Sequence, residues 1–329
     1  MEGNMKRSMP NSVTTFRFWS ILTLTLSVIC ILIFGGPGIV RGELPDIPNS
    51  NTWKTGGTVH TIVSKGGVTY IGGSFLYVGP QTGNGAPISE ATGRPSLPYL
   101  WVSGYINAVV PDGSGGWYIG GTFTRVGGVN RNRVAHILSD NSLDTSWNPN
   151  ANDEVFALAV SDGRVYVGGY FTSIGGQTRN YIAAVDAEKG KATSWNPNGD
   201  AGVYSLAVSG KTVYAGGIFK SIGGQMRRRL AALNAVTGKA TSWNPNPNAS
   251  YPVVALAVNG GTVYAGGWFT RIGGQTRKYI AALDAVTGKA TSWNPNPDNA
   301  VRALAVSEGT IYVGGQFTSI GGQTRHRCS

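Results

Sequence analysis

The sequence predicts an all-β fold of about six repeated, four-stranded units, and three observations carry that expectation. Gly-Gly followed by any residue and Phe recurs at Gly72, Gly120, Gly168, Gly216, Gly266 and Gly314, at intervals of 48, 48, 48, 50 and 48 residues. Ser-Trp-Asn-Pro-Asn recurs with its tryptophans at Trp147, Trp195, Trp243 and Trp293, each 27 residues after a glycine pair. Glycine accounts for 49 of 329 residues while only 13% are charged. That composition excludes a helical bundle and a disordered chain, and it favours short strands joined by many turns.

The elements follow in chain order. Residues 1–17 carry Lys6, Arg7 and Arg17, and an apolar run extends from Phe18 to Phe34 before Gly35-Gly36-Pro37-Gly38. A basic start, an apolar middle and small residues beyond it describe a secretory signal peptide, with cleavage expected after Gly42. An uncleaved anchor helix is the alternative, since the run has the minimum length for a span. Residues 1–42 are therefore read as signal or anchor, and residues 43–329 as the repeat domain, exported to the cell envelope or beyond. Cys328 would be the one cysteine left after cleavage, so no internal disulfide is expected.

The fifth unit shows the pattern of the rest. Val253–Val258 is a run of small apolar residues, Asn259-Gly260-Gly261 a turn, and Thr262–Ala265 a second strand leading into a glycine pair, with both glycine pairs of the unit read as turns. Tyr279–Leu283 is a third run, Asp284–Lys289 a hairpin turn capped by its aspartate, and Ala290–Trp293 a fourth strand stopped by Pro295. Small side chains place the first run innermost, and proline places the fourth at the edge. A unit of this kind cannot bury both faces alone, so stacked neighbours bury the aromatics as a continuous core. A period near 48 lies between those of WD-repeat and kelch propellers, so the expected fold is a β-propeller. Trp53 precedes Gly72 by 19 residues, as Trp101 precedes Gly120. An outer strand near Trp53 would close a sixth, otherwise incomplete blade, and a truncated longer array is the alternative.

The pattern Gly-Gly-x-Phe-x-x-(Ile/Val)-Gly-Gly-x-x-Arg, then Ile-Ala-Ala-Leu-Asp, then Trp-Asn-Pro, resembles the delta-60 repeat propellers over about residues 50–325. That resemblance implies an exported bacterial β-propeller of undefined molecular function. Kelch propellers share the Tyr-x-x-Gly-Gly strand end, Tyr264 to Gly267. The segment Ala282–Lys289 is similar to the tryptophan-docking motif of quinoproteins, but Trp293 comes one residue late. A fold match would not assign function in any of these cases.

Chemistry-bearing residues are sparse: 3 histidines, 2 cysteines and 16 acids. His60, His136 and His326 occupy unrelated repeat positions, with no metal spacing. No nucleophile elbow, recurring glutamate pair or phosphate-binding loop is present, so no catalytic residue, metal or cofactor is expected. Unit one diverges at Glu90, Tyr99 and Tyr105, the one hint of an enzyme site at the channel mouth, of lyase or quinoprotein type. Basic residues recur instead, at Arg131, Arg179, Arg227, Arg277 and Arg325 in Gly-Gly-x-x-Arg, reinforced by Arg228, Arg229 and Lys278. These eight are the candidate anionic-ligand residues. Periodic placement favours a structural use for the repeated arginine, bonding loop carbonyls within its own unit or stacking on an aromatic, since every unit needs the same internal support. The formal charge is +11, of which residues 1–42 contribute +3 (four bases, one acid), leaving +8 on the repeat domain. An exported basic propeller is a poor partner for nucleic acid and is expected to bind an acidic polysaccharide or a surface protein. It would meet the membrane only through an uncleaved N-terminal segment. A structural segment of a longer surface array is the remaining expectation.

Overall fold

The computed structural model describes residues 55–65, 68–75, 85–89, 91–94, 100–248 and 251–324. All regular structure among them is β, and no helix among them is long and apolar enough to cross a membrane. The signal or anchor of residues 1–42 and the strand expected near Trp53 lie outside the described residues.

Five three-stranded antiparallel meanders follow one another, and a two-stranded sheet comes last. Their innermost strands are Thr58–Lys65, Ile106–Pro111, Val155–Ser161, Val203–Ser209, Val253–Asn259 and Val301–Ser307. Each lies beside the innermost strand of the next unit, in chain order. The first run of each unit is therefore the inner one, where Ala and Val allow strands to crowd.

The expected fourth strand shrinks to a single bridge: Val185 to Ala192, Leu233 to Ala240, and Leu283 to Ala290. Local hydrogen bonding explains why. The amide of Thr193 donates to Ala184 O at 2.9 Å, but its own carbonyl accepts from the Arg179 guanidinium rather than from a strand. Its hydroxyl then accepts the Trp195 amide, and Pro197 has no N–H to offer. The chain turns inward, and the tryptophan enters the space between sheets.

There each tryptophan joins two units. Trp195 packs edge-on against Tyr166 of its own unit, with centroids 5.0 Å apart, and its indole N–H donates to Asn234 O of the next unit at 2.9 Å. Trp243 repeats this with Tyr214 and Asp284 O, and Trp147 makes the same bond to Asp186 O with a tilted contact to Tyr118. Trp293 keeps the tyrosine contact, to Tyr264. The core is thus a series of inter-sheet layers. One of them joins Ile182 and Ala184 of the third unit to Val213, Ala215 and Leu233 of the fourth around Trp195. The last such layer packs Ala255 and Ile280 of the fifth unit against Val301 and Leu304, with Trp293, Ile311, Val313 and Phe317 partly buried around them. On the other flank of that last sheet Tyr312 is 51% exposed where Tyr166 is 1%.

The two glycine pairs of each unit behave differently. The second, such as Gly175-Gly176 at φ 62 and 80, is a true turn between the short strands Ser173–Ile174 and Gln177–Thr178. The first lies inside the second strand, contrary to the expected turn. A Cβ on Gly168 would stand 2.7 Å from Val203 Cγ1 of the next unit, and one on Gly169 would stand 2.1 Å from Glu154 O. Only glycine lets the neighbouring sheet and the bent inner strand come that close.

Candidate functional site: a collar of bulged residues

Every inner strand carries a β-bulge at the same place. Register shifts separate Val59 from Thr61, Ile106 from Ala108, Val155 from Ala157, Val203 from Ser205, Val253 from Ala255 and Val301 from Ala303. The extra residue has no cross-strand partner, and a bulge re-aims its side chain. Those six residues are His60, Asn107, Phe156, Tyr204, Val254 and Arg302, all different. Flanking positions stay Val or Ile before the bulge and small after it.

Beside each bulge stands the residue between the first glycine pair and the phenylalanine: Ser74, Thr122, Tyr170, Ile218, Trp268 and Gln316, again all different. Backbone bonds hold it there, with the Tyr170 amide donating to Glu154 O at 2.8 Å and Gln316 to Ala300 O at 2.8 Å. The following phenylalanines are invariant, and Phe75, Phe123, Phe171, Phe219 and Phe269 are buried. Packing dictates identity where sheets meet, so positions that change in every unit are those that packing leaves open. They gather at one end of the inner strands and form a collar.

The collar is aromatic along units three to five. Phe156 stacks on Tyr204 of the next unit at 4.9 Å, and Tyr170 meets both rings edge-on at 5.1 and 5.7 Å. The Tyr170 and Tyr204 hydroxyls are hydrogen-bonded to each other. Burial, and then the Tyr170 contact, hold the Tyr204 phenol well above its ordinary range, so it stays protonated and neutral. Tyr170 lies over Gly202 of the next unit, where a Cβ would stand 2.6 Å from its ring. Trp268 leans the same way, and the Arg302 guanidinium lies 4.6 Å from its centroid. Partial burial lowers the Arg302 pKa without discharging it. Tyr251, 64% exposed, flanks Trp268 at 6.5 Å. On the far side His60 approaches Ser74 Oγ at 3.2 Å, and Asn107 donates to Val155 O at 3.1 Å.

A third variable position adjoins the collar. Arg133, Tyr181, Arg229 and Tyr279 have φ of 61 to 66°, and their carbonyls accept the amides of Gly121, Gly169, Gly217 and Gly267. Arg229 therefore sits beside the collar, half-buried, next to exposed Arg228; Lys278 is exposed at the corresponding place one unit on.

The recurrent arginines lie elsewhere. Arg131, Arg179 and Arg277 are 5 to 8% exposed. Each donates one nitrogen to the preceding carbonyl and another to the threonine carbonyl 14 residues on, Thr145, Thr193 or Thr291. Half-buried Arg227 does the same with Met226 and Thr241. These guanidinium groups tie the short hairpin to the tryptophan segment. Arg325, His326, Glu90 and Tyr99 lie outside the described residues.

One polar cluster is buried instead. His136 Nδ1 lies 3.0 Å from Asp144 Oδ2 and Nε2 lies 3.2 Å from Asp112 Oδ2, with the ring stacked on Tyr118 at 4.3 Å. Both contacts are hydrogen bonds only when both ring nitrogens, or a carboxyl, carry protons. Burial, with the charges of Asp112, Asp144 and Asp186, pushes the Tyr118 phenol up to about 12. Burial also raises Asp144, but bonds from Ser146, His136 and the Trp147 amide outweigh it and hold the carboxyl below its usual value. Among the described residues no group of three or more His, Cys, Asp and Glu side chains is arranged to hold a metal.

Sequence reasoning followed the repeated residues and so missed the collar. The signal was the complementary one, two columns in which the repeat never repeats.

Comparison with known proteins agrees on architecture. Residues 111–146, 161–183 and 261–288 match the family model described as a domain of unknown function (DUF5122) beta-propeller. No curated protein sequence matches the chain. Among solved structures, the computationally designed Ika8 protein is similar at TM-score 0.51 and 16% identity, over 80% of this chain and 71% of that one. The WD40 beta propeller domain of Doa1 is similar at TM-score 0.50 and 14% identity, over 75% of this chain and 72% of that one. At such identities the likeness concerns the fold alone, and with the stacked meanders it makes this chain an all-β protein of β-propeller architecture.

Proposed function

We propose that this chain is an exported, non-enzymatic binding module, a propeller of six delta-60-type blades whose collar face recognises an acidic glycan at the cell surface. The observation that carries this reading is the contrast between constant and changing positions. Six units keep the same packing residues and present six different residues at each of two adjacent collar positions. Basic side chains border that surface at Arg228, Arg229, Lys278 and Arg302, in line with the +8 left after subtraction of residues 1–42.

The test is binding of the exported chain to an array of anionic and neutral glycans at low and high salt. Salt-sensitive binding to acidic polymers, weakened when Arg228 and Arg229 become alanine, supports the reading. A folded chain that binds none of them at low salt refutes it. Export is tested by fusing residues 1–42 ahead of a reporter active only outside the cytoplasm.

A second reading, a segment of a longer surface array, is favoured by Tyr312, which is exposed among the described residues on the flank of the last sheet opposite the layer shared with the fifth unit. Concentration-dependent self-association, abolished by Tyr312→Lys, would support it.

A further inference from the structure

We infer that the collar segment from Phe156 to Arg302 is a carbohydrate subsite for a polysaccharide of carboxylate-bearing pyranoses, with sugar rings on the aromatic arc and a carboxylate at Arg302. This rests on the reading of the collar as the recognition surface and names its ligand.

The chemistry comes from three features. A pyranose is amphipathic, with C–H groups on its ring faces and hydroxyls around its edge. The arc matches that division: Phe156 and Trp268 supply apolar surface, while Tyr170, Tyr204 and Tyr251 supply rings ending in hydroxyls. These rings belong to consecutive units, so they lie along the collar rather than around one closed pocket, which suits a chain ligand. At the end of the arc Arg302 lies against the Trp268 ring, which orients its planar fork; a fork of that kind binds a carboxylate in bidentate fashion. Gln316, backbone-bonded beside Arg302, adds an amide able to meet sugar hydroxyls.

The charges fix the ligand's polarity. Glu154 precedes Phe156 and its charge reaches Tyr204, so the first part of the arc disfavours an anion. At the other end Arg302 is itself basic, and Lys278 is an exposed residue of the unit that carries Trp268. The carboxylate therefore lies at the Trp268–Arg302 end. A protein hot spot would also be aromatic, but its centre is expected to be desolvated and continuous. Here the rings are interleaved with hydroxyl and amide groups and are each only partly covered.

The experiment is calorimetric titration of the full chain with oligogalacturonate of six units and with its carboxyl-reduced neutral counterpart. Near-ultraviolet circular dichroism confirms that each variant is folded. The expected result is that the hexauronate binds about tenfold or more tightly than the reduced oligomer. Arg302→Gln should weaken the hexauronate about tenfold to a hundredfold and leave the reduced oligomer unchanged, abolishing the preference. Tyr251→Ala, at an exposed position, should weaken both by a common factor, and Trp268→Ala should weaken both but the hexauronate more, because the Arg302 fork loses the ring it lies against. Glu154→Gln should tighten the hexauronate. Equal binding of both oligomers, still lost in Trp268→Ala, would overturn the carboxylate assignment while the collar reading stands. Binding of neither oligomer, with capture of peptide ligands that depends on Trp268, would overturn the carbohydrate assignment. Binding indifferent to every collar substitution would overturn the collar reading itself.

Discussion

Replacing Trp195 by alanine is the most direct test of how the units are joined. The indole is 1% exposed, packs edge-on against Tyr166 and donates to Asn234 O at 2.9 Å. Truncating a fully buried aromatic side chain costs about 3–5 kcal/mol, the cavity term included. The lost hydrogen bond adds toward the lower end of about 0.5–1.5 kcal/mol, because Asn234 O still accepts from the Gly238 amide at 2.9 Å. The total is about 4–5 kcal/mol. With a urea m-value of about 3 kcal/mol/M for a chain of this size, the midpoint of the transition probing this layer should fall by roughly 1.5 M. Trp293→Ala is the internal control. That tryptophan is half-buried and keeps its Tyr264 contact, but the next-unit carbonyl bond of the other three is not formed among the described residues. Its shift should be less than half as large. Because the packed layers join adjacent units, amide exchange should rise on the two sheets flanking position 195 before it rises elsewhere. A Trp195→Ala shift below about 0.3 M, or a Trp293→Ala shift at least as large, would refute tryptophan-stapled layers.

Four further outcomes are expected. Gly169→Ala should destabilise by about 3 kcal/mol, since its Cβ would strike Glu154 O; Gly224→Ala, at φ 76 with open space around it, should lose only about 1 kcal/mol, and denaturant titration compares the two. Arg179→Gln should lower stability by about 2–3 kcal/mol by removing guanidinium bonds to Thr178 O and Thr193 O, and glycan affinity should be unchanged; Arg228→Ala should do the reverse. His136→Ala should destabilise by about 2 kcal/mol although alanine fills the same place at Ala184, Ala232 and Ala282, because two carboxylates lose their shared partner, and thermal melts of His136→Ala with and without Asp112→Asn should show partial rescue. Asp144, lowered in the folded chain, stabilises it above the unfolded carboxylate pKa near ~4, and that contribution disappears as pH falls through the folded value; Asp144→Asn should therefore flatten the acid limb of the melting-temperature profile.

Periodicity made the architecture readable in advance. Glycine pairs and tryptophans at a constant interval repeat because each unit must meet its neighbour in the same way, so Trp147, Trp195 and Trp243 were recognisable as inter-unit packing before any coordinate. The inner place of Val253–Val258 and the capping use of Asp284, whose carboxylate accepts the Thr287 amide at 2.7 Å, follow from side-chain size and turn chemistry alone. The fourth strand was not readable. Ala-Thr-Ser-Trp has strand propensity, but whether its carbonyls pair with a strand depends on a guanidinium arriving from 14 residues upstream.

The candidate site divided along the same line. A lone arginine looks alike in sequence whether it faces solvent or a carbonyl. Burial and partners separated Arg131, Arg179 and Arg277 from Arg228 and Lys278, and both depend on how sheets stack. Composition, repeat period and blade content are local properties, written in consecutive residues and so legible in the chain. The collar exists only because a bulge in each inner strand, permitted by Gly169 and its equivalents, brings residues from separate units to one end of the stack. Phe156, Tyr204 and Arg302 are 48 and 98 residues apart in succession, and tertiary packing alone makes them neighbours along one surface.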